Sequence, residues 1–241
     1  SNIANIALVL GITVLIFPIV ADRATKRVDL PVMIFASFLF MFFALDGELV
    51  LYEGIIMLAC IVGFTIFLIQ KGRKQPVSEE VAEMVEKIPA NWKSISFLLL
   101  GFVGLYFGAD WFIKGAVGIA DVFLQGNPNK DVIIGVTVVA FGTSAPELVA
   151  SCVAAYKKQT DISIGNLIGS NIFNILVVLG VTSTVTVIPV EDSVMEFDMI
   201  WMIGIALLLV ALIAIGSKIG RIKGAILLAT YVTYISIILM R

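Results

Sequence analysis

The sequence contains no histidine. Without an imidazole group it cannot build a Ser-His-Asp arrangement, the usual zinc ligand sets or a histidine proton relay. Cysteine is nearly absent as well: Cys60 and Cys152 are the only two, and they lie far apart in apolar segments, which indicates neither a disulfide framework nor a C-x-x-C site. Most hydrolytic enzyme classes are therefore excluded, and the sequence predicts no catalytic residue and no bound cofactor.

Charged residues are also scarce, at 14% of the 241 positions against about 25% in an average soluble domain. The 16 basic and 18 acidic side chains leave a formal net charge of -2, so there is no basic excess to bind nucleic acid. Apolar residues take their place: they make up 60% of the chain, and the mean hydropathy is +1.07. This composition predicts an integral membrane protein whose main surroundings are the lipid bilayer, with no nucleic-acid partner.

Eight apolar stretches approach or exceed the roughly 20 helical residues that cross a bilayer core. They cover residues 3–20, 30–45, 51–70, 95–124, 132–156, 163–188, 198–216 and 222–240. Backbone groups cannot stay unpaired in lipid, and these stretches lack the alternation of barrel strands, so all eight are predicted to be helices. The predicted fold class is all-α, a polytopic membrane helical bundle with about eight transmembrane helices.

Thirteen of the sixteen Lys and Arg residues fall in the first, third, fifth and seventh connections between these stretches. Basic residues are retained on the cytoplasmic side of a membrane protein. We therefore expect a multi-pass protein of the cell membrane in which the odd connections are cytoplasmic and both termini of this chain face outside.

Residues 1–13, SNIANIALVLGIT, recur at 170–182 as SNIFNILVVLGVT, with nine identities in thirteen positions. The shared Ser, Asn, Gly and Thr are not what apolar low complexity produces by chance. In the predicted orientation the two copies cross the membrane in opposite directions, which is the inverted-topology repeat of many secondary transporters. The first copy starts at Ser1, so we expect the full-length protein to contain the earlier part of the first repeat, which is missing here.

The longest polar stretch, residues 71–94, has apolar residues at helical spacing opposite a row of glutamates. It predicts an amphipathic helix in a cytoplasmic loop, and we interpret it as a linker between residues 1–70, with three helices, and residues 95–241, with five. A calcium-sensing role for the glutamates would need a D-x-[DN]-x-[DN]-G loop, which the sequence lacks.

Glu147 lies near the middle of the fifth apolar stretch, in the motif GTSAPE. A carboxylate there costs roughly 2.5 to 3.5 kcal/mol on insertion scales, which stability alone does not justify. Pro146 lacks an N–H and must disturb the helix, which frees backbone oxygens nearby. Thr143 and Ser144 precede Glu147 by four and three residues, so their hydroxyls share its helix face.

A second polar cluster follows in GNLIGSNIFNI, residues 165–175, where Ser170 and Asn174 lie one helical turn apart. Carboxylate, amide, hydroxyl and carbonyl oxygens without His or Cys suit Ca²⁺, Mg²⁺ or Na⁺. The alternative is that these hydroxyls and amides only hydrogen-bond one helix to another. Outside the clusters, Asp110 and Lys114 have the spacing of an ion pair, and Glu53 is interpreted as interfacial rather than ligating.

These motifs carry a family resemblance. GTSAPE followed by GNLIGSNIFNILVVLG, and preceded by GADWFIKGA at 108–116, resembles the second α-repeat of the sodium/calcium exchangers in the calcium/cation antiporter superfamily. SNIANIALVLG resembles the end of the first α-repeat, and the short loops resemble those of prokaryotic members. The resemblance implies ten helices in two inverted halves of five, of which this chain would hold the third to the tenth.

The resemblance also implies a ligand set for Ca²⁺ and Na⁺ as transported ions. Glu147 would be the central carboxylate, and the remaining oxygens would come from Thr143, Ser144, the Ala140 carbonyl, Ser170, Asn174, and their first-repeat equivalents Ser1 and Asn5. The counterpart of Glu147 in the first repeat would precede Ser1, so this chain alone would hold half a site.

The implied function is Na⁺/Ca²⁺ antiport by alternating access at a midplane site, and not an enzyme activity. Asn174 occupies a position where some relatives carry Asp. Two alternatives therefore stay open at this point: a proton-coupled or potassium-dependent calcium/cation exchanger, and a non-transporting helical membrane fragment.

Overall fold

The computed structural model of the protein describes residues 1–72, 92–123, 134–135, 139–216 and 218–240. The first four helices are α1 (Ala4–Ile16), α2 (Thr25–Asp46), α3 (Leu51–Gly72) and α4 (Trp92–Phe123). The last four are α5 (Ala140–Tyr156), α6 (160–185), α7 (Val194–Ala214) and α8 (Arg221–Met240). The amphipathic helix expected within residues 71–94 falls almost entirely outside the described residues.

The predicted all-α membrane bundle is confirmed. Of the described helices, α2, α3, α4, α6, α7 and α8 are long and apolar enough to cross a membrane, and α1 is a shorter apolar helix. The predicted bounds are less accurate than the fold class. The second stretch, predicted over 30–45, extends as a 22-residue helix from Thr25 to Asp46.

The predicted end of the first stretch at residue 20 is wrong, because α1 ends at Ile16. Phe17 has the extended conformation, with φ -130° and ψ 106°, which the following Pro18 imposes by crowding the residue before it. The chain then continues as a short strand before α2. The side chain of Asp22 helps to start that helix by accepting a hydrogen bond of 2.7 Å from the backbone N–H of Thr25.

The hydrogen bond from Thr25 also affects the pKa of the Asp22 carboxyl group. Partial burial raises the pKa of its carboxyl group, but the hydrogen bonds from Thr25 and the neighbouring charge of Lys26 outweigh burial and leave the pKa below its usual value. The capping contact therefore stabilises the fold at neutral pH and is lost as the pH falls through that lowered pKa.

Two short antiparallel strand pairs mark the two ends of the bundle. Strand β1 (Ile19–Val20) pairs with β4 (Lys218–Ile219), and β2 (Glu48–Leu49) pairs with β3 (Ile188–Pro189). Helix α1 leads into β1, whereas α6 leads into β3. The two copies of the sequence repeat therefore run in opposite directions, so the inverted topology predicted from the sequence is confirmed.

The inverted relationship extends well beyond the thirteen-residue sequence match. Both copies begin with wide π-helical turns, at Ala4–Leu10 in α1 and Asn174–Leu179 in α6, and both continue as short α-helical segments. The next helix of each half also starts with π-helical turns, at Thr25–Asp29 in α2 and Val194–Asp198 in α7. Each half thus has the same order of π-helical and α-helical segments, and a pseudo-two-fold axis relates the halves.

The two ends of the bundle differ in charge. The described basic residues of the connections lie at the β1–β4 end, where Tyr156 of α5 also reaches Phe17, with ring centroids 5.7 Å apart. They include Arg23, Lys26, Arg27, Lys71, Lys157, Lys158, Lys218, Arg221 and Lys223. At the β2–β3 end, the described connections carry acidic side chains and no Lys or Arg, namely Asp46, Glu48, Glu191 and Asp192.

Paired glycines let the outer helices α3 and α8 approach α6 and α1 closely. A Cβ atom built on Gly224 of α8 would lie 3.0 Å from the carbonyl oxygen of Gly11 in α1. In the other half, a Cβ atom on Gly54 of α3 would lie 2.6 Å from the carbonyl oxygen of Gly180 in α6 and would collide with the Ser183 hydroxyl. Helices in lipid associate largely by such close van der Waals packing, because burial from water does not drive them together.

Gly54→Ala should lower the thermal unfolding midpoint of the detergent-solubilised protein, since the added methyl group must displace both Ser183 and the Gly180 backbone. Overpacking of this kind costs about 1–3 kcal/mol. Gly63→Ala is the matched control in the same helix, because nothing lies within 4 Å of the position that its Cβ would take, and better helix propensity should leave its midpoint equal or slightly higher. Equal midpoints for the two variants would contradict the close crossing.

Candidate functional site

Asparagine side chains join α1 to α6 where the two repeat copies cross. The Asn2 amide donates to the backbone oxygen of Asn171 at 3.4 Å, and the Asn171 amide donates to the backbone oxygen of Asn2 at 3.2 Å. Asn2 and Asn171 are equivalent positions of the repeat, 169 residues apart. These reciprocal bonds therefore place the pseudo-two-fold axis between the two residues.

The next asparagines of the two copies, Asn5 and Asn174, form a second equivalent pair of hydrogen bonds across the crossing. Asn5 donates to Oδ1 of Asn171 at 3.0 Å, and its equivalent Asn174 donates to Oδ1 of Asn2 at 3.0 Å. Asn174 also donates to the hydroxyl of Ser1 at 3.2 Å. Asn5 and Asn171 are fully buried, so these amides must find partners within the protein. The four asparagines, which we call the amide cluster, fix the angle and register of the crossing.

Helix α5 brings the GTSAPE motif to this crossing by packing against both α1 and α6. Pro146 lies inside the helix, and Thr143 bonds to backbone oxygens one turn earlier, donating at 2.9 Å to Val139 and 3.1 Å to Ala140. On the opposite side, Gly142 leaves room for Phe112 of α4, whose ring carbon would lie 2.9 Å from an added Cβ. Close packing by α4 thus supports α5 behind the motif.

Three buried side-chain oxygens of the described residues have no hydrogen-bond partner: Oδ1 of Asn5, Oγ of Ser144 and Oε2 of Glu147. Each such group costs about 1–3 kcal/mol in lost solvation, and the cost is larger for a carboxylate. Buried polar groups are rarely left in this state, and those that are need an explanation such as an ion. All three belong to the ligand set predicted from the sequence.

A cavity of about 550 Å³ reaches the crossing. Its walls come mainly from the beginning of the chain, from the part of α6 that follows Asn174 and from the start of α7, with two tyrosines of α8. Four of the predicted ligand residues line it: Ser1, Ala140, Thr143 and Asn174. The cavity therefore borders the oxygen-rich centre of the crossing.

The other four predicted ligand residues are not among the described residues that line the cavity. Of these, Asn5, Ser144 and Glu147 carry the unpaired buried oxygens described above. Ser170 is half-buried on α6 and is not among the described residues that line the cavity. The structure thus places Ser1, Ala140, Thr143 and Asn174 in the cavity lining and Asn5 in the amide cluster. The assignment of these residues as ligands stays a prediction.

Two cavity residues were missed by the sequence analysis. Asp198, at the start of α7, lines the cavity, and its Oδ1 accepts a hydrogen bond of 2.8 Å from the hydroxyl of Tyr234 in α8. A signal was available, because Asp198 is the repeat equivalent of Asp29 and the two acids end matching π-helical segments. No comparable pattern marks Tyr234.

Comparison with known proteins settles the family. The family model described as sodium/calcium exchanger protein matches residues 1–70 and 93–240. The chain belongs to the sodium/calcium exchanger family. It is a membrane cation antiporter of that family, whose homologues are transporters and not enzymes, as the sequence predicted.

Individual exchanger relatives match over nearly the whole chain. The chain is 34% identical to the membrane protein MJ0091 of Methanocaldococcus jannaschii, covering 98% of this chain and 73% of that protein. It is 28% identical to the sodium/calcium exchanger MaX1 of Methanosarcina acetivorans, covering 99% of this chain and 77% of that protein. A solved structure of the sodium-calcium exchanger NCX_Mj superposes with a TM-score of 0.75 at 31% identity, covering 98% of this chain and 73% of that one.

The other intramembrane acids of the exchanger have structural partners. Lys114 donates to Asp110 at 2.8 Å, so the predicted ion pair is confirmed, and both side chains lie away from the cavity. Glu53 lies in the first turn of α3 and is buried within the protein, where its Oε2 accepts a bond of 2.9 Å from the backbone N–H of Val50. Neither acid contributes to the candidate site.

Asn171→Ala should destabilise the exchanger strongly, because it removes the acceptor of Asn5 and the donor to Asn2 inside a buried cluster. The expected loss is about 1–3 kcal/mol for each group left unpaired, measured as a lower thermal unfolding midpoint in detergent. Asn166→Ala on the same helix removes a single bond of 3.3 Å to Ser151 from a half-buried position and should cost less. A smaller loss for Asn171→Ala than for Asn166→Ala would contradict the amide cluster as the joint between repeats.

Proposed function

We propose that this exchanger moves Ca²⁺ out of the cell against Na⁺ entry, and that both ions bind in turn at the crossing of α1 and α6. The three unpaired buried oxygens of Asn5, Ser144 and Glu147 carry this proposal. They combine a carboxylate, an amide and a hydroxyl, which are hard ligands suited to Ca²⁺ and Na⁺. An ion among them would supply the partner that each oxygen lacks.

The proposed ligand set is the one that the sequence analysis predicted. Glu147 supplies the charge, and the neutral oxygens come from Thr143, Ser144, the Ala140 carbonyl, Ser170, Asn174, Ser1 and Asn5. Ca²⁺ takes about six to eight oxygens, so the neutral ligands around Glu147 supply most of the oxygens that the ion needs. Because the two ions compete for the same oxygens, binding of one favours release of the other.

The inverted repeat supports alternating access as the mechanism. In the present arrangement, the cavity borders the crossing beside the later part of α6 and the start of α7, which lie toward the β2–β3 end. We propose that the cavity belongs to the ion path to that end. The pseudo-two-fold axis through the amide cluster makes an equivalent path to the β1–β4 end available if the two halves exchange conformations. The site itself stays at the axis during this exchange, which is the geometry expected of inverted-repeat transporters.

Charge supports an orientation for the exchanger. The basic connections at the β1–β4 end would be cytoplasmic, as would the 71–94 loop, and the acidic β2–β3 end would face outside. Helix α8 ends at the outer side in this orientation. The cavity would then open to the outside of the cell membrane.

We further propose that a second carboxylate-bearing helix completes the site. The two-fold axis relates α1 to α6, so the counterpart of α5 would lie against the part of α6 that follows Asn174 and beside the cavity. One carboxylate leaves a Ca²⁺ ion with uncompensated charge in a low-dielectric environment, which is costly. Natural sequence preceding Ser1 would supply this helix and its acid.

Glu147→Gln should abolish Na⁺-gradient-driven uptake of radioactive Ca²⁺ into proteoliposomes, because it removes the charge and keeps the shape of the side chain. Asp110→Asn is the matched control, since it neutralises another intramembrane carboxylate away from the cavity and should leave exchange near the wild-type rate. Replacing the Na⁺ gradient by a K⁺ or pH gradient identifies the coupled ion. Near-normal exchange by Glu147→Gln would overturn the proposed ligand.

The 241-residue chain alone should not exchange ions, whereas a longer chain that includes natural sequence preceding Ser1 should do so. The expected difference follows from the missing second negative charge. Both proteins are reconstituted side by side, with circular dichroism checking that each is helical, and Ca²⁺ uptake is compared per molecule. Equal rates would mean that the described residues already hold a complete site.

A further inference from the structure

Two buried serines join α5 to α6 between the candidate site and the connection of these two helices. The hydroxyl of Ser163 donates to the backbone oxygen of Ser151 at 3.0 Å, and the hydroxyl of Ser151 donates to the backbone oxygen of Ser163 at 3.5 Å. The side-chain amide of Asn166 donates to the same Ser151 hydroxyl at 3.3 Å. Both serines are fully buried, so their hydroxyls depend on these bonds. We call Ser151, Ser163 and Asn166 the serine clamp.

The serine clamp lies one helical turn from proposed ligands on both helices. Ser151 follows Glu147 by four residues on α5, and Asn166 precedes Ser170 by four residues on α6. Residues four apart share a helix face and differ by about 6 Å along the helix axis. The clamp therefore fixes the distance between the two helices next to the places where each would supply an oxygen to an ion.

Helix α5 depends on such outside support because Pro146 interrupts its hydrogen bonding just before Glu147. The proline has no N–H to donate to the backbone oxygen of Gly142, so the turns before and after it are less firmly joined than in an uninterrupted helix. Beyond the proline, α5 is attached to α6 by the serine clamp. It also contacts α1, where the hydroxyl of Thr13 lies 3.6 Å from the sulfur of Cys152. The position of Glu147 thus depends on how α5 is held by α1 and α6.

A site built from two helices selects an ion by size only if the helices keep their separation. Ca²⁺ binds oxygens at about 2.3–2.6 Å, whereas Mg²⁺ requires about 2.0–2.1 Å and a nearly octahedral arrangement. Oxygens on α5 and α6 could contract around the smaller ion if the two helices were free to approach each other. The serine clamp opposes this contraction without contacting the ion.

We propose that the serine clamp is a positioning element that holds the ligands of α5 and α6 at the spacing of Ca²⁺, so that the site rejects Mg²⁺. This inference rests on the proposed exchange function and adds to it the residues that set ion selectivity. The alternative is that these side chains only hydrogen-bond one helix to another. That alternative predicts a loss of stability with no change in selectivity.

The test measures ion binding by the full-length exchanger in detergent without Na⁺, from the rise of its thermal unfolding midpoint with Ca²⁺ or Mg²⁺ concentration. The rise that remains in Glu147→Gln is subtracted as binding elsewhere. Ser163→Ala removes the bond of 3.0 Å. It should lower the ratio of Ca²⁺ affinity to Mg²⁺ affinity about tenfold, the lower end of the range for groups that orient metal ligands. Asn166→Ala removes only the bond of 3.3 Å from a half-buried position, so this milder variant should lower the ratio by a smaller factor.

Ser37→Ala is the matched control. Ser37 is also a buried serine, but its hydroxyl donates at 2.9 Å to the backbone oxygen of Met33 within the same helix, α2. Its affinity ratio should stay at the wild-type value, even if its midpoint without ions falls. A lower midpoint without ions and an unchanged ratio in both clamp variants would show helix bonding alone and would overturn the proposal.

Failure of the serine clamp and failure of the exchange function give different results. A wild type that binds Ca²⁺ but does not transport it would overturn the exchange function alone, because the affinity ratio of the variants still decides the role of the clamp. An unchanged ratio in variants of a protein that does exchange ions would overturn the clamp alone. A wild type that Ca²⁺ does not stabilise would overturn the proposed ion site and, with it, the clamp as a selectivity element.

Discussion

The amide pairing between Asn2 and Asn171 is the contact on which the rest of the architecture depends. An amide left without partners inside a membrane protein is costly. Each of these amides donates a hydrogen bond to the backbone oxygen of the other residue across the helix crossing. Because the two residues are repeat equivalents, their bonds are symmetric and define the axis. The axis in turn gives Asn5 and Asn174 equivalent places beside it. The position of the proposed ion site near this axis follows from the same pairing.

Packing around the axis follows from small residues rather than from hydrophobic burial. In lipid the apolar faces of helices gain little by leaving their solvent, so close contact decides which helices associate. The glycine pairs of α1 with α8 and of α6 with α3 provide that contact at equivalent places in each half. The inner helices can therefore present polar side chains at the centre while the outer helices hold them in place.

The sequence allowed the fold class and most of the candidate site to be predicted, for identifiable physical reasons. The repeated Ser, Asn, Gly and Thr indicated the inverted halves, and the cost of placing Glu147 in mid-membrane indicated its importance. The end of α1 could have been predicted from Pro18, but apolar content alone extended the helix past it. Asp198 was missed because a residue at the edge of an apolar stretch is ordinarily solvated, and only the packing of α7 against the cavity shows otherwise. Tyr234 could not be predicted, since its bond to Asp198 depends on how α7 and α8 pack against each other.

The amide cluster joins residues that are 169 positions apart in the chain, which has a consequence for biogenesis. At about 5–20 residues per second, the ribosome makes Asn171 roughly 10–30 s after Asn2. During that interval the amides of α1 are in the membrane without their final partners, so the first half of the molecule must persist as a metastable intermediate. The strand pairs at the two ends of the bundle also form only after β3 and β4 have been made. The asparagines of α1 therefore lack their final partners until α6 has been made and inserted.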